Sequence, residues 1–359
     1  AAFVKRERYY KQGKAARMIM GRDPRFNLFY AMVIEPVERA FFELPQVANA
    51  CDFHKCGQKF SEMLPEWVLE NDMTAYEASQ REELLGYEYR VYAECADELC
   101  IPRNLVTDLF AAKCLKYGST SVGVTFKFLF CRGSGDMDTS AGNGLLNYTS
   151  TRYNQILNFT PNCAIIKCVN DKCYCRSFVL KGDDSYMKIP VNSNPKDYYK
   201  NFGFDAKLII RKSPYDVEFC SGKFIETTPG NFFFAQDLQK LIKSLTTCIN
   251  DDVIRNGWVA HYYKSLGLMY KKLYKGLPVY DDIANFLLRT SDYGLNLELV
   301  NYYSILENFK NCSSSELDFD ESLVYLSVSE ANSLSIAEVG YIVNWFRSNT
   351  LVLPPSMTK

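Results

Sequence analysis

Apolar and polar positions follow two rhythms along this chain, and the switches between them mark its elements. Residues 26–44 set Phe29, Met32, Val33 and Val37 at helical spacing, and 77–99 repeats that spacing with Leu84, Leu85, Tyr89 and Tyr92. Residues 66–71 read as a short strand delivering Asp72. Residues 120–131 (TSVGVTFKFLFC) are β-branched and aromatic and predict a further strand. A glycine-rich loop at 132–138 then opens a helix over 139–158. A hairpin is expected from 163–169 and 173–180 around Asn170 and Asp171, with a tight turn at 181–184 leading into Tyr186 to Ile189. Beyond it come a short helix near 195–203, a strand at 206–211 and a hairpin of 216–225 with 230–234. From 236 onward the pattern is mostly helical. No internal repeat is visible. The order predicts an α+β part, residues 1–235, followed by a mainly helical part, residues 236–359.

The 359 residues exceed one small core, which predicts two or three packed subdomains. Net charge is −1, so the chain as a whole does not carry the basic signature of a nucleic-acid binder. The charge is uneven, however. Residues 5–25 hold Lys5, Arg6, Arg8, Lys11, Lys14, Arg17, Arg22 and Arg25 against only Glu7 and Asp23, which suits a local lining for an anionic ligand. With only His54 and His261, sites built on a Ser-His-Asp or Cys-His pair have little to draw on. Thirteen cysteines and no recognisable signal segment predict reduced thiols in a cytoplasmic setting. No apolar run approaches the ~20 residues of a membrane-spanning helix, so any membrane association is expected through other segments. The abrupt start inside a basic segment suggests a piece of a longer polyprotein.

Four segments carry candidate chemistry. Lys181-Gly182-Asp183-Asp184-Ser185 puts two adjacent carboxylates at a turn between apolar strands. Like charges this close repel unless a cation intervenes, and Mg²⁺, or alternatively Mn²⁺, is the natural compensation. An ordinary Gly-Asp hairpin with solvated acids is the plain alternative. Asp72 ends its strand with Glu77 five residues on; beside the acid turn it would help hold two metals ~3.5–4 Å apart, whereas alone it reads equally as a helix cap. In Ser134 to Asn143, a Gly-Ser-Gly loop read as flexible precedes Thr139 and Asn143, four apart on one helix face. That hydroxyl and amide can read a sugar 2′-hydroxyl, or merely open a helix. In the basic segment, Lys5 and Arg17 are the candidates for a triphosphate, against a solvated basic face.

Taken in order, these segments resemble the motifs of positive-strand RNA virus RNA-dependent RNA polymerases, closest to the tombusvirus-like group. Arg17-Met18-Ile19-Met20-Gly21-Arg22-Asp23-Pro24-Arg25-Phe26-Asn27 matches that group's basic motif. Ser134 to Asn143 matches its SGDMNTxxGN with Asp138 in place of Asn, and Val217-Glu218-Phe219-Cys220 matches its primer-grip motif. Glu77 stands where the group usually has Asp, a residue that helps the Asn143 position sense ribose.

The resemblance covers residues 3 to about 225. It implies a right-hand fold: palm with antiparallel sheet and partial fingers over 1–235, then a helical thumb. It also implies Asp72, Asp183 and Asp184 as metal ligands and catalytic acids, and Lys207 as general acid toward pyrophosphate. Arg22, Arg25, Phe219 and Cys220 would lie along RNA and the primer end. The implied partners are an RNA template and nascent RNA, NTPs, and other replicase segments including missing N-terminal fingers, at replication complexes in the host cytoplasm. A reverse transcriptase and a non-catalytic RNA-binding replicase subunit are the competing readings. Zinc is disfavoured: Cys163, Cys168, Cys173 and Cys175 fit no standard zinc spacing, and Cys51, His54 and Cys56 lack a fourth ligand.

Overall fold

The computed structural model describes residues 2–4, 18–48, 52–63, 66–120, 123–159, 177–245, 251–289 and 318–351. Two compact units emerge, one from residues 1–48 with 67–210, the other from 49–66 with 211–359. Along the chain they divide at Ile210 and Arg211.

In the first unit, strands β1 (Ala2–Val4) and β2 (Met18–Met20) pair antiparallel. Helix α1 (Pro24–Phe42) follows; Asp23 accepts the Arg25 amide as its cap and Pro24 occupies the first turn, where no N–H is needed. Four apolar positions of α1, Tyr30, Val33, Ile34 and Val37, form a core with α4 (Glu82–Glu98) and α5 (Arg103–Cys114). A second core gathers Phe41, Val47, Leu69, Phe178, Leu180, Met187 and Ile189. Most of it lies on a four-stranded sheet of order β6–β7–β3–β8, made of β3 (Trp67–Met73), β6 (Phe178–Lys181), β7 (Asp184–Ile189) and β8 (Ala206–Arg211). Helix α6 (Thr139–Phe159) packs against β6 and β7. The short α3 (Tyr76–Ser79) leads from β3 into α4, and β4 (Leu115–Ser119) with β5 (Thr125–Leu129) makes a separate ribbon.

The second unit is built around β9 (Glu218–Phe219), β10 (Gly222–Thr228) and β11 (Asn231–Gln236), with α2 (Phe53–Met63) laid on β11. Phe60 stacks on Phe224 with centroids 3.9 Å apart. After β11 the chain is helical: α7 (Leu238–Leu245), α8 (Asp251–Arg255), α9 (Val259–Leu273), α10 (Tyr280–Leu288), α11 (Glu321–Asn332) and α12 (Ile336–Ser348). Lys271 on α9 pairs with Asp281 at 2.7 Å, and Arg347 on α12 with Asp282 at 2.8 Å, tying both helices to α10.

Most expected elements form, with shifted ends. The helix read over 77–99 breaks into α3 and α4, and the one near 195–203 shrinks to a 3-10 turn at Tyr199–Phe202. The strand read at 120–131 is only Thr125–Leu129, because its partner β4 comes before it. The hairpin expected over 163–180 lies largely outside the described residues, as does the cysteine cluster within it; the expected turn at 181–184 forms, with β6 paired to β7 across it.

Candidate active site

The sheet brings the acids together. Strand β3 runs antiparallel to β7 in a register that sets Asn71 opposite Ser185, so Asp72 stands level with Asp184 and the turn beyond it. Asn71 and Met73 are buried while Asp72 between them is exposed, the alternation that points a strand residue away from the core. Lys181 pairs with Asp184, leaving Gly182 and Asp183 as a two-residue turn. Gly182 takes φ 60°, a region that strains residues with a side chain, so glycine is favoured there. The Thr74 amide donates to the Asp205 carbonyl at 2.9 Å, which joins the end of β3 to the start of β8 and brings Lys207 to the same end of the sheet. Lys207 is exposed there.

Helix α6 grips this turn. Asn147 Nδ2 donates to the carbonyls of Gly182 and Asp183, both at 3.0 Å, and of Asp184 at 3.4 Å. Its Oδ1 accepts from Thr151 at 2.9 Å, and the Ser185 hydroxyl donates to Asn71. One turn earlier on the same face sits Asn143, buried, with its carbonyl accepting from the Tyr76 hydroxyl at 3.2 Å. Burial pushes the Tyr76 phenol well up; Arg132 opposes this, and the nearby Asp183 carboxylate reinforces it. Asn143 and the acid turn thus share one neighbourhood.

The side-chain partner of Asn143 is not Glu77 but Gln80, whose Nε2 donates to Asn143 Oδ1 at 2.7 Å. Glu77 contributes its backbone carbonyl, which accepts from the Arg132 amide at 3.3 Å. Helix α3 ends at Ser79 and turns the next residue inward, so the position three beyond Glu77 reaches the amide.

Behind Gln80 lies a buried cluster of two cations and two acids: Arg132, Lys113, Glu88 and Asp138, none more than 1% exposed at the side chain. Arg132 contacts Glu88, and reaches Asp138 at 3.0 Å; Lys113 bonds Glu88 at 2.7 Å and also contacts Asp138. The Tyr30 hydroxyl donates to Asp138 at 2.9 Å. Charges buried this deeply persist only when paired. Burial drives the Glu88 carboxyl up further than its two cations pull it down. For Asp138 burial pushes up too, but Lys113 and Arg132 outweigh it and hold the carboxyl well below the usual range.

The loop before α6 is pinned rather than loose. Asp136 accepts from the Gly133 amide at 2.8 Å, from Arg22 Nε at 2.9 Å, and pairs with Lys116 at 2.7 Å. The Ser134 carbonyl accepts from the Met20 amide at 2.8 Å. Thr139 donates its hydroxyl to the Asp136 and Gly133 carbonyls. Arg22 also donates to the Ala112 and Lys113 carbonyls, so its guanidinium ties the loop to the end of α5. Arg25 is exposed and paired with Asp23 at 3.1 Å. Lys5 and Arg17 lie outside the described residues.

A family profile described as RNA dependent RNA polymerase matches residues 49–275, more than half of the chain. The chain belongs to the RNA-dependent RNA polymerase family. A curated relative, the RNA-directed RNA polymerase of Groundnut rosette virus (strain MC1), is 23% identical over 306 residues, which is 80% of this chain and 34% of that protein. The chain therefore spans about a third of the relative's length. The crystal structure of an insertion-loop deletion mutant of a human picobirnavirus RNA-dependent RNA polymerase superposes with a TM-score of 0.58 at 14% identity, covering 91% of this chain and 60% of that one. That likeness fixes the fold as the right-hand polymerase architecture.

For a chain of this family, two features of the second unit bear on the expected primer contact. Phe219 is buried, packed edge-on against Phe234 at 6.1 Å, and Cys220 turns with φ 47°. Phe219 is thus a core residue of its own sheet. Among the described residues of the polymerase, no three acid, cysteine or histidine side chains form a ready-made cation cage. A pair of carboxylates on adjoining strands is an incomplete set of hard oxygen donors, the kind Mg²⁺ accepts when waters and substrate phosphates complete its shell. Sequence reasoning missed Asn147, Gln80, Glu88, Lys113 and Arg132. Only Asn147 carried a signal, since it stands one helical turn beyond Asn143.

Proposed function

We propose that this chain is the catalytic core of a viral RNA-dependent RNA polymerase that joins NTPs on an RNA template by two-metal-ion chemistry. Support comes chiefly from one observation: Asp72 and the Asp183–Asp184 turn meet at one end of a sheet, under a helix that grips the turn through Asn147. In a protein whose family copies RNA, three acids at such a place are fitted to divalent metal.

Asp72, Asp183 and Asp184 would hold Mg²⁺ or Mn²⁺, which when bound lowers the barrier for attack of a 3′-hydroxyl on the NTP α-phosphate and for departure of pyrophosphate. Lys207, at the same end of the sheet, is positioned as the general acid toward that leaving group, a role needing its proton at working pH. Asn143 reads the ribose, Lys5 and Arg17 neutralise the triphosphate, and Arg25 and Cys220 belong to the RNA-facing side, with Phe219 holding Cys220 from the core of its own sheet. Residues 1–235 correspond to palm with partial fingers and 236–359 to the thumb. Template and nascent RNA, NTPs and further replicase segments are the partners, in the host cytoplasm, with membrane association through those other segments.

The test is primer extension on an RNA template with and without Mg²⁺, using this chain plus any segment it needs for activity. Metal-dependent incorporation of NTPs is expected, strongly preferred over dNTPs. Extension that favours dNTPs would instead point to a reverse transcriptase, and RNA binding without incorporation to a scaffold subunit.

A further inference from the structure

We propose that Gln80 is a positioning residue for sugar selection: it fixes which end of the Asn143 amide faces a ribose, so that Asn143 can only donate to the 2′-oxygen. The inference rests on the reading of Asn143 as the ribose contact.

The direction of each hydrogen bond in this relay is forced by chemistry. A guanidinium has donors and no acceptor. Arg132 Nε donates to Gln80 at 2.8 Å, so the atom it meets must be the Gln80 carbonyl oxygen. The other end of Gln80 is then its NH₂ group, which lies 2.7 Å from Asn143 and must find an oxygen there. With Oδ1 of Asn143 so engaged, the end left for a ligand is Nδ2, a donor. Reversing the Asn143 amide would set NH₂ against NH₂.

The relay is anchored at its far end. Arg132 cannot rotate to release Gln80, because its other nitrogens contact Glu88 and the carbonyl and carboxylate of Asp138. Its guanidinium also lies flat on α6 at Gly142, where an added Cβ would come within 2.4 Å of two of its nitrogens. Gln80 itself is fully buried, shielded from water that would offer either amide end a substitute partner. Arg132, Gln80 and Asn143 thus form a one-way chain of donors ending at the sugar.

A donor-only Asn143 makes a distinctive demand on the substrate, since the 2′-group must accept. A 2′-hydroxyl does so; a 2′-deoxy sugar cannot; a 2′-fluoro group accepts weakly and cannot donate. The experiment measures kcat/KM for matched NTP, 2′-fluoro-NTP and dNTP with the active polymerase and its Asn143→Ala, Gln80→Leu and Gln80→Glu variants. The parent should rank NTP above 2′-fluoro-NTP above dNTP. Gln80→Leu frees the Asn143 amide to turn, so the NTP:dNTP ratio should drop about tenfold or more. Gln80→Glu keeps an acceptor for Arg132 and makes the other oxygen an acceptor too, which turns Asn143 over. The ribose hydroxyl can then donate to Oδ1, so NTP use persists, while 2′-fluoro-NTP should fall to the level of dNTP or below.

Loss of 2′-fluoro use in Gln80→Glu with NTP use retained supports the relay, and a merely structural role would not separate the two substrates. Should Gln80→Leu fail to fold by thermal melting, Gln80→Glu decides alone. Retained preference for 2′-fluoro-NTP over dNTP in Gln80→Glu overturns the proposal. An NTP:dNTP ratio unchanged in Asn143→Ala overturns the ribose reading itself, an outcome distinct from failure at Gln80.

Discussion

Asn147 spends its amide nitrogen on three carbonyls of the acid turn. Removing that grip should loosen Asp183 without removing it. Asn147→Ala is expected to lower kcat about 10²-fold with little change in the KM for NTP, since small misplacement of a reacting group costs on that order; steady-state primer extension checks it. A change confined to KM would place Asn147 in substrate binding. Arg17→Ala should raise the KM of all four NTPs alike, because phosphate contacts carry no base information; a base-selective effect in the same assay would move Arg17 to the template. For Glu77, the residue likeness and the geometry now agree on a mild outcome. Gln80 holds Asn143, so Glu77→Asp should leave the NTP preference unchanged.

At the scale of elements, α4, α5 and the residue that leads into α6 are locked through Glu88, Lys113 and Asp138. Asp138 occupies a place where the resembling motif carries Asn, and Lys113 supplies the compensating charge. Asp138→Asn alone should cost about 3–5 kcal/mol in chemical denaturation, because it leaves a buried cation short of a partner. Adding Lys113→Met should recover much of that loss; additive effects would mean the two do not act as a pair. A pH dependence follows. The Asp138 carboxyl is lowered on folding, so its contribution is full above the ordinary value of 3.8 and is lost as pH falls below it. Glu88 is raised and acts in the opposite sense, losing its contribution as pH rises through its folded value. Acid unfolding of the parent should therefore steepen below about pH 4, and Asp138→Asn should flatten that limb in a pH-melting series.

Across the whole molecule, local signals were legible in the sequence and cross-chain ones were not. Periodicity marks α1 and α4, and the Gly182 turn announces itself, because each is encoded by neighbours a few residues apart. Helix α2 went unread: His54 and Cys56 drew attention as metal donors, while the same stretch buries Phe53, Cys56, Gly57 and Phe60 on one helical face. Helix α5 and β4 follow each other without a break, and the switch of period at Cys114 is invisible without the pairing to β5. The acids were singled out because two carboxylates at a turn repel unless a cation intervenes. The Arg132–Gln80 relay was not, since its members lie 52 positions apart and pairing between elements leaves no local pattern.

The account stands on Asp72 and Asp183 as one metal-holding pair serving phosphodiester formation. Single-nucleotide incorporation on a primed RNA template, measured for Asp72→Ala and Asp183→Ala beside thermal melting, tests this most directly. Both acids are exposed, so neither substitution should shift the melt appreciably. Loss of incorporation in each variant, unrecovered by raising Mg²⁺ or NTP and with the melt unchanged, is the predicted result. Substantial incorporation by either folded variant would contradict it.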